Sequence, residues 1–422
     1  MSMPRPILAT LLLALLLGAS AAVHAQSGGE RKTRVTVAMS QPVYKALTEA
    51  QELVEKKQYG AALKVLEALR GKKLTPYEAA QAWNYTAYTH YLQEQYPQAI
   101  RAYEQVLAQG ELPEAIVTST LKTLSQLYFT VEQYAKALAT VQRLLASLAE
   151  PSQEVYLLLG QAHFQLKQYA EALPAIDRAI AMARAHGSEP QENWLLLKQV
   201  IYYERKDYAR MVEVVKELVR LYPKESYLRT LAGAYSELGD TRKQLAVMEA
   251  LYDQGRLTEG RDLVNLANLF LLHEVPVKAA RVLDRALAAK QVEADVGNLR
   301  LLSQAWYQAR EDAKAIPPLV KAAALAADGE LSIRLAQSHI NLEQWEQAAA
   351  ALEEGLRKGG LDRTDQAYVM LGMARFNLAR LEQARGAFER ALADKRSQKV
   401  AGQWLAYVDQ ELQRRQALGV TE

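Results

Sequence analysis

The chain holds six histidines and no cysteine, and that pair of facts bounds its chemistry. Without cysteine there is no thiol nucleophile, thiolate ligand, disulfide or site for lipid attachment through sulfur. A histidine working as a general base or a metal ligand needs a second group at short range. His186 and His273 have no such neighbour at ligand spacing, and His24 falls in the first, apolar stretch. The chain has no G-x-S-x-G elbow, no Walker loop and no G-x-G-x-x-G turn. What remains is recognition chemistry. The amides of Gln126, Gln161, Asn268, Gln304 and Gln337 each donate and accept, so they can grip the backbone of an extended peptide whatever its sequence. Tyr88, Tyr91, Phe129, Phe164, Tyr203 and Tyr307 offer contact area at low entropy cost. Arg229, Arg261 and Arg300, with Asn265 and Asn268 beside them and Gly233 opening space, suit a carboxylate-bearing partner. These groups point to a protein that holds other proteins. No enzyme activity, cofactor or metal is expected.

The elements that carry these residues repeat. Tyr169, Ala172, Leu173, Ile176 and Ala179 share one face of a helix, and Tyr156, Leu159, Gly160 and His163 share a face of the helix before it. The two read as an antiparallel pair turned at Lys167-Gln168, with small residues where their backbones come closest. In the second helices that small column runs Ala62, Ala99, Ala137, Ala172, Met211, Gln244, Ala279, Ala315, Ala348 and Ala384. In the first helices it runs Ala50, Ala87, Ser125, Gly160, Gln199, Ala232, Ala267, Ser303, Ala336 and Gly372. Steps of 33 to 39 residues fit the 34-residue tetratricopeptide repeat (TPR). The fifth and sixth units are placed by spacing more than by residue identity. Pro223 and Gly359-Gly360 sit in turns between repeats. The expected fold is all-α: a TPR superhelical solenoid of about ten helix-turn-helix repeats with a C-terminal capping helix.

Counting from the first-helix small column places the recognition residues. One residue on lie Tyr88, Gln126, Gln161, Gly233, Asn268, Gln304 and Gln337; three further on lie Tyr91, Phe129, Phe164, Tyr203 and Tyr307. Both columns should line the concave groove of the solenoid. His90, His163 and His339 share a column with Tyr128, Tyr202 and Tyr235, which makes them packed core residues separated by whole repeats. The two-carboxylate clamp of chaperone-binding TPR domains needs a Lys/Asn/Asn/Lys/Arg set. Arg229 and Asn265 fit it, but Gly233, Gly297 and Leu301 do not, so that clamp is absent.

The ends are different in kind. Arg5, the apolar run Ile7–Leu17 and the small residues Val23 and Ala25 read as a secretory signal over 1–25. A flexible basic leader over 26–42 follows, with Arg31, Lys32 and Arg34, and then the solenoid over 43–394. The capping helix over 395–422 should bury Val400, Trp404, Val408 and Leu412, backed by Glu411, Arg414 and Arg415. Once the signal is cleaved no transmembrane span is expected. A net charge of +3 on 422 residues gives no concentrated field for nucleic acid.

Several stretches resemble a narrower family, the periplasmic TPR proteins encoded beside TonB–ExbB–ExbD energy-transduction genes in Gram-negative bacteria. They are Glu192–Leu197 with Tyr202-Tyr203 and Lys206-Asp207-Tyr208, Val275-Pro276 before Lys278-Ala279-Ala280, Lys358–Leu361, and the run from Ala367 to Tyr407. The resemblance implies a periplasmic interaction scaffold auxiliary to TonB-dependent uptake, with envelope proteins or peptides and TonB-system components as partners. The alternative is a TPR scaffold for envelope polysaccharide export or cell-wall assembly.

Overall fold

The computed structural model describes residues 38–418, and every regular element among them is an α-helix. The chain divides after Pro151 into two compact units. The first holds α1 (Gln41–Glu55), α2 (Tyr59–Arg70), α3 (Pro76–Leu92), α4 (Tyr96–Ala108), α5 (Glu114–Thr130) and α6 (Tyr134–Ser147). The second opens with α7 (Gln153–Gln165), α8 (Tyr169–Ala185), α9 (Glu192–Glu204), α10 (Tyr208–Leu221), α11 (Glu225–Glu237) and α12 (Thr241–Asp253). It continues with α13 (Gly260–Leu272), α14 (Pro276–Ala288), α15 (Val296–Gln308), α16 (Asp312–Leu325) and α17 (Glu330–Asn341). It closes with α18 (Trp345–Lys358), α19 (Thr364–Asn377), α20 (Leu381–Ala391) and α21 (Gln398–Ala417). Consecutive helices pair from α1–α2 to α19–α20, ten repeats in all, and α21 stands alone as the cap. The expected signal peptide and the leader up to Val37 lie outside the described residues. Gln41 and Pro42, expected in the leader, already form the first turn of α1.

One turn design joins every pair. The residue before each second helix is preceded by one in the left-handed region: Lys57, Glu94, Glu132, Lys167, Lys206, Gly239, Glu274, Arg310, Glu343 and Ala379, with φ between 54° and 70°. The following N–H donates back across five residues, as Gln168 does to the His163 carbonyl at 2.9 Å. This is the Schellman closure, which satisfies carbonyls a helix end leaves open. Only Gly239 meets that geometry without a Cβ; the other nine carry the strain of a left-handed side chain.

Packing follows the small columns. All ten second-helix positions from Ala62 to Ala384 are buried, Met211 and Gln244 included. A Cβ on Gly160 would lie 2.6 Å from Ile176 Cγ1, so only glycine allows that approach of α7 to α8. Gln199 is the one large residue in the first-helix column, and its Oε1 is buried without a hydrogen-bond partner. Within each unit the apolar clusters run across repeat boundaries. One cluster in the second unit extends from Ala232 to Leu331. Each pair thus covers a face its neighbour cannot bury alone.

Buried acids tie repeats together. Glu78 accepts from the backbone N–H and hydroxyl of Ser40 at 2.8 and 2.6 Å while forming a capping box with Thr75. Those hydrogen bonds hold its carboxyl down at about 2. Asp365 accepts from Arg363 at 2.8 Å and from the Ser397 hydroxyl at 2.5 Å, and is held well below the usual carboxylate range by them. On the cap, Ala401 and Val408 are buried and Trp404 stacks on Phe388 at 5.5 Å with an interplanar angle of 8°. Val400, expected in the buried stripe, is 45 % exposed, because Ala401 and Leu405 take the inner face in its place. Glu411 pairs with Arg414 at 2.7 Å and Arg415 at 3.3 Å on the back of the cap.

Candidate peptide-binding surface

The first helices of the repeats carry the recognition residues, and the two units are described separately. In the first unit, Tyr88 and Tyr91 stand on α3 and Gln126 and Phe129 on α5. Tyr91 rests against Tyr96 with ring centroids 6.1 Å apart, and Phe129 against Tyr134 at 6.2 Å. These aromatics are half-buried and fix the helix pair as well as facing outward. Tyr88 borders a cavity of about 160 Å³ between α1 and α3, walled by Gln51, Val54, Glu55, Tyr85 and Leu92. Tyr85 donates to Gln51 Oε1 at 3.3 Å, and Gln51 donates to Glu55 at 3.1 Å. The cavity has the size and lining for one apolar side chain with a polar group at its rim.

In the second unit, Gln161 and Phe164 stand on α7, and Phe164 packs on Tyr169 at 6.0 Å. Tyr203 on α9 packs on Tyr208 at 6.4 Å yet stays 56 % exposed. Gly233 on α11 is exposed, and a Cβ there would meet nothing within 4 Å, so the space expected beside it exists. Asn265 and Asn268 on α13 are exposed, and Asn268 donates to its own helix at the Val264 carbonyl, 3.0 Å away. Gln304 and Tyr307 lie on α15, and Gln337 on α17 donates to Asn341 at 3.0 Å. So the amides are not an equivalent row: Asn268 and Gln337 are engaged, while Gln126, Gln161 and Gln304 have no side-chain hydrogen bond among the described residues.

Arg229 departs from its expected role. Its guanidinium donates to Glu225 at 2.8 Å, to Asp262 at 2.5 Å and to the Arg256 carbonyl at 2.7 Å. It is a half-buried strut from α11 to α13, its charge matched by two carboxylates, and those partners hold it protonated. The sequence could not show this, because Asp262 lies a whole repeat away. Arg261 and Arg300 are exposed and have no ion pair among the described residues. Leu272, absent from the sequence reading, is 63 % exposed at the end of α13, five residues beyond Ala267. The same offset gives Leu92, so the pattern was present in the sequence.

The histidines are held by the repeat itself. His90, His163 and His339 each place Nδ1 2.7 Å from the Oε1 of the turn glutamine five residues on: Gln95, Gln168 and Gln344. The same glutamines donate their backbone N–H to the histidine carbonyl, so each turn is clasped twice. No group of three or more His, Asp or Glu that could hold a metal occurs among the described residues. None of their helices is long and apolar enough to cross a membrane.

A tetratricopeptide-repeat family model matches residues 47–115, 123–190 and 333–399, just under half of the chain. No curated protein matches. Among solved structures, a tetratricopeptide repeat protein from Parabacteroides merdae ATCC 43184 is 16 % identical, with 72 % of this chain and 100 % of that one covered and a TM-score of 0.38. Naa15/Naa10 bound to HypK-THB is 14 % identical over 86 % of this chain and 66 % of that one, with a TM-score of 0.43. MamA is 16 % identical over 41 % of this chain and 93 % of that one, with a TM-score of 0.35. Likenesses at these scores carry no functional information. Between the matched segments, the fifth to eighth repeats keep the same turn and the same buried columns as the rest. With ten helix pairs of one turn design among the described residues, and a repeat model matching three segments, these residues fold as tetratricopeptide repeats.

Proposed function

We propose that this protein is a periplasmic interaction scaffold, auxiliary to TonB-dependent energy transduction and uptake across the outer membrane. In this reading it holds an extended, acidic segment of an envelope protein. One observation carries the binding surface: α13 and α15 each carry on one side an exposed apolar residue toward the C-terminal end, Leu272 and Tyr307, and nearer the N-terminal end an exposed arginine, Arg261 and Arg300, that no carboxylate neutralises among the described residues. Exposed apolar area rimmed by unpaired guanidinium groups is the usual makeup of a protein-binding patch. The TonB assignment is supported by the sequence stretches quoted above, and the periplasm by the signal-like first 25 residues. The double variant Arg261→Glu with Arg300→Glu tests the patch, since neither residue has a structural partner to lose. It should retain helicity and lose capture of envelope partners and growth on scarce iron complexes. The wild-type interaction should weaken with salt, because exposed charges are screened within about 10 Å at 0.1 M. Equal capture and growth in variant and wild type would remove this patch from the function. N-terminal sequencing after osmotic shock should read from Gln26; a full-length chain in the membrane pellet would overturn the export reading.

A further inference from the structure

Three residues beyond the small column, the first helices carry a histidine or an aromatic residue from His90 in the second repeat to His339 in the ninth. Six of these eight groups, all but His90 and His163, are buried. Trp306 donates to Asp284 of the preceding repeat at 3.1 Å, and Tyr128 to Glu104 at 2.5 Å. In the tenth repeat the position is Arg375. It keeps the cross-repeat contact, donating to Glu353 at 2.9 Å and to the Gln383 carbonyl at 3.2 Å. With no ring at position 375 and with Gly386 bare on α20, a cavity of about 450 Å³ opens among α18, α19 and α20. It lies on a different face of α19 from the groove column, whose residues there are Met373 and Phe376.

The walls are of two kinds. Leu356, Tyr368, Leu371 and Ala387 are apolar, while Arg357, Arg375 and Arg390 supply three guanidinium groups against one lining carboxylate, Glu353. Arg357 is held from outside by Glu354 at 2.6 Å. Arg390 has no ion pair among the described residues and lies over the Tyr368 ring at 5.6 Å. The Nε–H of Arg375 is buried without a hydrogen-bond partner, an unusual cost for a guanidinium.

From this juxtaposition we infer that the tenth repeat holds a binding site for a carboxylate borne on a compact apolar group, such as a peptide C-terminus ending in an aliphatic residue. Planar guanidinium forks match a carboxylate better than any other side chain does. The apolar walls take the attached group, and the volume suits a ligand of a few residues. The site goes beyond the proposed scaffold function and uses none of its residues.

Calorimetry on the full mature chain tests it with N-acetyl-Leu-Leu as probe, beside its C-terminal amide, 4-methylpentanoate and acetate. The dipeptide acid should bind saturably, and the amide about tenfold more weakly, one charge-assisted hydrogen-bond pair being lost. Arg390→Ala should weaken the acid by a similar factor, about tenfold, with an unchanged urea midpoint. Gly386→Leu should abolish binding by filling the cavity, and it leaves the fold intact because a Cβ there meets nothing within 4 Å. Binding of 4-methylpentanoate alone would mark a free acid as the source; preference for the dipeptide would mark a peptide end. Saturable binding should persist in the Arg261→Glu, Arg300→Glu variant. No binding of either acid, equal binding of acid and amide, or binding unaffected by Gly386→Leu would overturn the inference.

Discussion

Replacing Gly372 by leucine should unfold the last repeat pair far more easily than the same change at Gly402. An ideal Cβ on Gly372 would sit 2.5, 2.6 and 2.7 Å from three ring carbons of Phe388. Ordinary carbon contacts lie near 3.5–4.0 Å, so the ring must retreat by about 1 Å before any further leucine atom is placed. It has nowhere to go. Phe388 is fully buried, and its far face is stacked on Trp404. Overpacking of that kind costs about 1–3 kcal/mol or more, against a helix-propensity gain of about 1 kcal/mol for leaving glycine. With the ring unable to retreat, the cost falls at the upper end of that range, and a net loss of up to about 2 kcal/mol is expected. Gly402, on α21, has nothing within 4 Å of its Cβ, so leucine there should keep the gain without the clash. The assay is urea denaturation followed by far-ultraviolet circular dichroism and by tryptophan fluorescence, in which Trp404 reports on the affected pair. A second variant, Gly372→Leu with Phe388→Ala, should lose less than the two single changes add to, since each relieves the other. An unchanged midpoint for Gly372→Leu, or strict additivity in the double variant, would show that α19 and α20 do not meet where the structure places them.

Other expectations follow from the turns, the buried acids and the strut. Ala379→Gly should raise the unfolding free energy read by urea denaturation by up to about 1 kcal/mol, because φ 62° strains a Cβ, whereas Gly239→Ala should lower it by a similar amount; midpoints equal to wild type would refute a strained turn. Glu78 is held near 2 against an unfolded value of about 4.3, so its stabilisation is complete above the unfolded value and fades as pH falls through the folded one. Glu78→Gln should remove that acid-sensitive step from a circular dichroism titration between about pH 4.3 and 2, and a titration identical to wild type would contradict it. Arg229→Glu should cost about 2 kcal/mol by leaving Asp262 and Glu225 facing a third carboxylate, while Arg300→Glu stays within about 0.5 kcal/mol. Matching urea midpoints for those two variants would refute the strut.

The sequence determined the repeat, because a helix pair with one small closest approach writes the same spacing each time it recurs. Met211 and Gln244 break the residue identity but not the interval, and both are buried where the interval puts them. His339 was also legible, since sharing a column with tyrosines made it a packed core residue, whereas His90 and His163 in the same column are only half-buried and clasp their turns instead. The left-handed turns were not legible: glycine is the sequence sign of that geometry, and nine of the ten positions carry another residue. Which candidate charges are free was decided by tertiary structure alone. Arg229 and Arg300 occupy equivalent places in their helices, yet only Arg229 meets a carboxylate from the next repeat. The cavity beside Arg375 is of the same kind, arising where three helices fail to fill one volume. Periodicity is a property of each helix and survives in one dimension, whereas pairing and empty space depend on which side chains arrive from elsewhere.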